Sequence, residues 1–199
     1  ENFSLIICAT SRLAQTLRAG LVPGHSVWPT VQALTIGQWL SRLAEDALLA
    51  GIAELPQALD AFAEKVLWEK VIAESLDENA APLFDLAGMA ASAADAHALL
   101  RVWQLNPAQH PDLSDEARLF LKWQTAFLKR CRTAGWIDLA GQQQALIDLL
   151  AAGHLTLPAR VSFAGFDRHT PLENRLMSVL AGRDVLVEKW SLGPVDRSS

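Results

Sequence analysis

Residues 3–9, FSLIICA, form a short continuous apolar run rich in isoleucine, and a comparable run, VSFAGF, returns at 161–166. Runs apolar on both faces are the signature of strands buried in a parallel sheet. Parallel neighbours need a crossover between them, so such strands at both ends suggest one sheet closed around whatever lies between. After the first run, Thr10 and Ser11 can each cap a helix that sets Leu13, Leu17 and Leu21 on one face, and Gly20, Pro23 and Gly24 end it. Residues 25–36 carry Val27, Trp28, Val31, Leu34 and Ile36 around Pro29, which reads as an extended segment or edge strand. After the second run, Thr170-Pro171 opens a helix reaching about Leu180, Gly182 stops it, and DVLVEKW (184–190) is a further strand.

Between these ends the period changes. Residues 37–51, 57–77, 83–105, 114–134 and 138–152 each repeat apolar residues at three- and four-residue spacing, as amphipathic helices do. The breaks hold Gly51, Pro56, the Asp77–Pro82 stretch, Asn106-Pro107 with Pro111, and Gly135. The chain has 32 Ala and 33 Leu among 199 residues, strong helix formers that favour this reading. The expected fold class is α/β and helix-dominated. A short parallel core from 1–36 and 154–190 is interrupted by a helical insertion at 37–153, and 191–199 is a linker or chain end. Strands 3–9, 161–166 and 184–189 should be neighbours in one sheet; a helical bundle with marginal strands is the alternative.

Composition narrows the function. Apolar residues reach 51% and charged residues 20%, which excludes a disordered chain. The net charge of −5 exerts no global pull on nucleic acid, so such binding needs a local patch. No run approaches the ~18 apolar residues of a membrane span. Cys8 and Cys131 lie far apart without a partner motif; they could form one bridge, but buried thiols in a reduced cytoplasm are the expectation. The five histidines, at 25, 97, 110, 154 and 169, have no HxxxH pair, so neither a zinc site nor any cofactor is expected.

The first strand–loop–helix stands where a nucleotide-binding fold puts its phosphate loop. That loop needs glycines whose N–H groups wrap phosphates, and a lysine reaching the terminal oxygens. Here it reads Cys8-Ala9-Thr10-Ser11-Arg12-Leu13-Ala14, with neither. A helix N-terminus still attracts phosphate, so Ser11 and Arg12 could touch a nucleic-acid backbone; a plain cap with a solvated arginine competes with this.

The segment 161–177, VSFAGFDRHTPLENRLM, resembles the strand-to-helix region around the Walker B motif of superfamily I helicases, where the strand ends in Asp-Glu-Phe-Gln-Asp. Ala164 and Gly165 stand where that family has its magnesium-binding aspartate and catalytic glutamate. A Gly-Phe-x-x-x-Thr-Pro-x-Glu pattern, at Gly165, Phe166, Thr170, Pro171 and Glu173, is similar to the inactivated helicase-like domains of the RecB/AddB/RecC helicase–nuclease systems. Thr10, Arg12, Leu13, Ala14 and Leu17, then Thr35, Trp39 and Leu40, then LWEKVI at 67–72 and the surroundings of Trp103 and Trp123, resemble bacterial probable DNA repair proteins in the same order. The resemblance implies an α/β unit like domain 1A with a 1B-like helical insertion, and a PD-(D/E)XK-type nuclease domain further downstream or on a partner subunit. It implies no ATP hydrolysis by this chain, because both carboxylates are replaced. An ATPase with a divergent site is the third possibility, behind a non-catalytic DNA-guiding domain and a protein–protein docking module.

A stretch without acidic residues, 117–137, places Arg118, Lys122, Lys129 and Arg132 on one helical face opposite Phe120, Trp123 and Phe127. It could track phosphates or be a solvated face whose charges complement the helix dipole. In open α/β sheets ligands bind beyond the carboxyl ends of the strands. The candidate DNA contacts are therefore Thr10, Ser11, Arg12, Thr35, Arg168 and His169, with the basic stripe joining them if the insertion folds over that rim. Trp39, Trp68, Trp103 and Trp123 sit at apolar helix positions, as core residues do; stacking on single strands needs aromatics interleaved with basic residues on an exposed face.

Overall fold

Each apolar run found in the sequence becomes a strand of a parallel sheet. The computed structural model describes residues 4–20, 31–52, 55–76, 85–110 and 112–190. Phe3, Pro23 and Gly24 after the first helix, residues 25–30 of the extended segment, the Asp77–Pro82 break, Pro111 and the 191–199 tail lie outside the described residues.

The chain divides into two units, one built from the described residues up to Ile52 with Leu146–His169 and 173–190, the other from Leu55–Ala145 with Thr170–Leu172. In the first, β1 (Ser4–Cys8) is followed by α1 (Ser11–Gly20), β2 (Val31–Thr35) and α2 (Ile36–Leu49). The chain returns to it through the last part of α6 (Leu139–Ala152), then β5 (Arg160–Ala164), α7 (Pro171–Ala181) and β6 (Leu186–Lys189). The four strands form one sheet, β2-β1-β5-β6, parallel throughout. The fold class is α/β with helices dominating.

Register explains why the runs had to be apolar. β1 pairs from Ser4↔Val31 to Cys8↔Thr35 on one side and from Ser4↔Arg160 to Cys8↔Ala164 on the other. Side chains alternate across a sheet, so Ile6 and Cys8 share one face while Leu5 and Ile7 share the other, and all four are buried. The first face is lined with small neighbours, Ala33 and Ala164, against which Leu13, Ala14 and Leu17 of α1 pack.

The second unit contains β3 (Gln57–Ala58), α3 (Ala61–Ser75), α4 (Leu86–Val102), a short 3-10 turn at Pro107–Gln109, α5 (Asp115–Ala134) and β4 (Trp136–Ile137). Leu67, Trp68, Val71 and Ile72 of α3 meet Ala90 and Ala93 of α4 and Trp123, Phe127 and Cys131 of α5 in its core. Trp68 and Phe127 stack with centroids 4.2 Å apart. The alanines of α4 let this large aromatic pair sit between the helices. Asp60, Asp85 and Ser114 cap α3, α4 and α5, and Gly135 ends α5 at φ 70°.

Three expectations are adjusted. The division falls near residues 54 and 146 rather than at 36/37 and 153/154, because α2 buries Trp39, Leu40, Leu43 and Ala47 and packs against β1 and β2. Residues 57–58, read as the start of a helix, pair in parallel with 136–137; Pro56 and the Asp60 cap hold the helix start back to Ala61. Trp103, read as a core residue, caps the end of α4 and is 44% exposed, since Gln104 at φ 52° turns the chain away. Among the described residues, no helix is long and apolar enough to cross a membrane.

Candidate functional site

The carboxyl edge of the sheet gathers the loop residues singled out in the sequence. Cys8, Thr35 and Ala164 are level in the register, and Ala9 N–H donates to Ala164 O at 3.0 Å, so the loops after β1 and β5 leave the sheet side by side. Thr10 caps α1 by accepting from Leu13 N–H (3.2 Å), leaving Ser11 and Arg12 exposed in the first turn. Thr35 is committed to a capping box: its hydroxyl accepts from Gln38 N–H (3.2 Å), and the Gln38 side chain accepts from Thr35 N–H (3.0 Å).

On the other loop, Gly165 has φ 77°, and a Cβ there would lie 2.6 Å from Leu13 Cδ2. An apolar side chain from the first turn of α1 thus presses onto the backbone of the loop after β5. Arg168 is exposed, whereas His169 is packed, its ring stacked on Phe166 at 5.1 Å and edge-on to Phe163 at 5.8 Å. His169 Nδ1 lies 3.9 Å from Glu173 Oε2. The rim therefore offers two exposed guanidinium groups, Arg12 and Arg168, with Ser11 between helix N-terminus and solvent. Its threonine and histidine candidates serve local structure.

The basic stripe belongs to the second unit. α5 separates its sides as the spacing predicts, with Trp123, Phe127 and Cys131 buried and Arg118, Lys122, Lys129 and Arg132 exposed. Arg118 pairs with Asp115 at 2.8 Å. Lys129 faces a groove between α3 and α5, beside Arg130, which pairs with Glu74.

The most organised polar group in the second unit was not legible in the sequence. Asp138 is 2% exposed, and Arg101 Nη2 reaches its Oδ2 at 3.1 Å while Gly141 N–H donates to Oδ1 at 2.8 Å. His97, equally buried, stands with Nε2 3.4 Å from Oδ1, and its Nδ1 lies 2.9 Å from the Gln124 amide nitrogen. With Gln124 donating, the ring proton sits on Nε2 and faces the carboxylate. Burial would raise the Asp138 carboxyl, but His97, the Arg101 charge and the Gly141 N–H together hold it well below the ordinary range. Nearby Glu64 shifts the other way, raised by burial and then by the Asp138 charge. The Cys131 thiol is pushed up to about 11, first by burial and then by these two carboxylates, which makes it a poor nucleophile. Gly141 leaves room for the ion pair, since a Cβ there would meet Arg101 Nη2 at 2.6 Å and Asp138 Oδ2 at 2.9 Å. The group joins α4, α5 and the start of α6 and acts as a clamp. The one sequence signal for it was an aspartate isolated among apolar residues, Trp136-Ile137-Asp138-Leu139, which is a helix cap buried at the start of α6.

Compared with models of protein families and with curated proteins, the chain matches none.

Proposed function

We propose that the chain is a non-catalytic helicase-like domain of a DNA-repair helicase–nuclease protein, of the RecB/AddB/RecC kind, holding or guiding DNA beside a downstream nuclease. One observation carries this reading. The two loops that would form a nucleoside-triphosphate site leave one sheet edge together, yet Leu13 packs onto Gly165 between them while Arg12 and Arg168 stay exposed. An apolar contact where phosphates would need N–H donors, and Ala164-Gly165 in place of the carboxylates, favour a domain that keeps the fold without its chemistry. Two arginines at the carboxyl edge without an ion-pair partner among the described residues favour retained contact with phosphates. The order of the resembling motifs supports the family reading, and the first and last of them border the β1–α1 and β5–α7 loops.

The test is DNA affinity as a function of salt, beside an ATP turnover assay. The intact chain should bind short DNA with a salt-dependent affinity, and Arg12→Ala with Arg168→Ala should lower the log–log slope by about 1.4 to 1.8, at about 0.7 to 0.9 per phosphate contact. Magnesium-dependent ATP hydrolysis abolished by a change in the 9–13 loop would refute the non-catalytic part. A second reading, docking of a partner subunit without DNA contact, draws on the exposed Leu99, Trp103 and Leu105 at the end of α4. It gains if the intact chain shows no salt-sensitive DNA binding.

A further inference from the structure

A phenylalanine, a tryptophan and two lysines that look unrelated along the chain meet in a groove of the second unit. The groove measures about 1170 Å³ and runs between α3 and α5 beside the small β3–β4 sheet. Phe62, Val66 and Lys70 follow one another at four-residue spacing along α3, so they share a face. Lys129 stands on α5, and Trp136 on β4 lies just past its end. Phe62 is 77% exposed and Trp136 37%, so both rings keep area open to solvent.

The charges in the groove are not balanced. Its two acidic side chains are both engaged, Asp60 accepting from Ala63 N–H at 2.7 Å and Glu74 pairing with Arg130. Lys70 and Lys129, on opposite walls, have no ion-pair partner among the described residues. The volume lies just above the about 300–1,000 Å³ of small-molecule pockets, which leaves room for a stretch of an extended strand. Alanines at 58, 63, 126 and 134 keep the walls low, so flat groups can reach the aromatic faces.

We propose that this groove binds unpaired single-stranded nucleic acid, with bases stacking on Phe62 and Trp136 and phosphates held by Lys70 and Lys129. The proposal rests on the reading of the chain as a DNA-guiding domain and gives it a second contact, specific for strands whose bases are free. An aromatic surface interleaved with cations is what sequence-tolerant single-strand binding requires, because every base has a π-face and every residue a phosphate. An apolar helix would instead use pockets for its anchors, and Phe62 projects outward.

The experiment uses the full chain and a fluorescein-labelled dT15 followed by anisotropy over a range of salt. Phe62→Ala with Trp136→Ala should weaken binding about tenfold or more while leaving the salt slope unchanged. Lys70→Ala with Lys129→Ala should lower the slope by about 1.4, two contacts at about 0.7 each on a single strand. Phe62→Tyr with Trp136→Phe keeps both rings and should bind nearly as the parent does, which guards against a loss caused by misfolding. Binding that survives both groove variants but falls in Arg12→Ala with Arg168→Ala overturns the groove and leaves the rim reading standing. No dT15 binding by the intact chain at low salt overturns both. An acidic amphipathic peptide held in the groove and not displaced by dT15 assigns it to protein docking and overturns the proposal.

Discussion

Asp138 and Glu64 are neighbours in one unit, yet burial leaves them with opposite consequences for stability. Asp138 has an arginine, a helix N-terminal N–H and a histidine to compensate its desolvation; Glu64 has the Asp138 charge against it. A carboxyl held below its unfolded value of about 3.9 contributes stability that is present above that pH and lost as pH falls through the folded value. A carboxyl held above its unfolded value of about 4.3 weakens the fold at neutral pH, and the loss is relieved as pH falls through its folded value. Asp138→Asn should therefore cost about 2–3 kcal/mol at neutral pH and flatten the acid limb of the stability curve. Glu64→Gln should raise stability at neutral pH and remove the gain on mild acidification. Urea midpoints between about pH 7 and pH 3 measure both, and a destabilised Glu64→Gln would contradict this account.

The contact of α1 with the loop after β5 is decided by a single missing side chain. Gly165 combines a left-handed φ of 77° with the touch of Leu13, so a methyl there meets two obstacles at once. Gly165→Ala should lose about 1–3 kcal/mol, read from thermal or urea unfolding. Adding Leu13→Ala should leave the backbone strain in place, so the double variant does not return to parent stability. Full recovery would mean that the side-chain contact, and not the backbone, dictates glycine at this position.

Two units with separate cores imply separate folding competence. The core of α3, α4 and α5 is drawn wholly from residues 59–131, and the clamp at Asp138 ties in α6 from the same continuous stretch. The sheet, by contrast, needs strands from both ends of the chain, β1 and β2 with β5 and β6. A fragment spanning 55–152, which keeps α6 whole, should retain helical circular dichroism and a cooperative urea transition. A fragment covering 1–54 should show no cooperative transition, because β1 would lose its β5 partner. A non-cooperative 55–152 fragment would show that the helical unit depends on the sheet.

The parallel sheet was legible because its information is local: FSLIICA and VSFAGF are short apolar runs bounded by turn residues, as strands covered on both sides are written. The five helices were legible for the same reason, each carrying its own period and its own stops. The candidate rim followed from strand direction alone, since parallel strands end at one edge. What the linear order could not reveal were relations between residues far apart in it. His97, Arg101 and Asp138 converge from α4 and the start of α6, and no spacing rule links positions 97 and 138. The pairing of 57–58 with 136–137 is two residues long, too short to leave a period. Thr35 and His169 look like ligands in sequence, but folding spends the first on a helix cap and the second on an aromatic stack. Nothing in the linear order marks Phe62 and Trp136 as exposed; the packing of α3, α5 and β4 leaves them at the edge of a groove with Lys70 and Lys129. Periodicity identifies which face of an element is apolar; which apolar side chains remain uncovered depends on how many neighbours each face finds, and that is a property of packing alone.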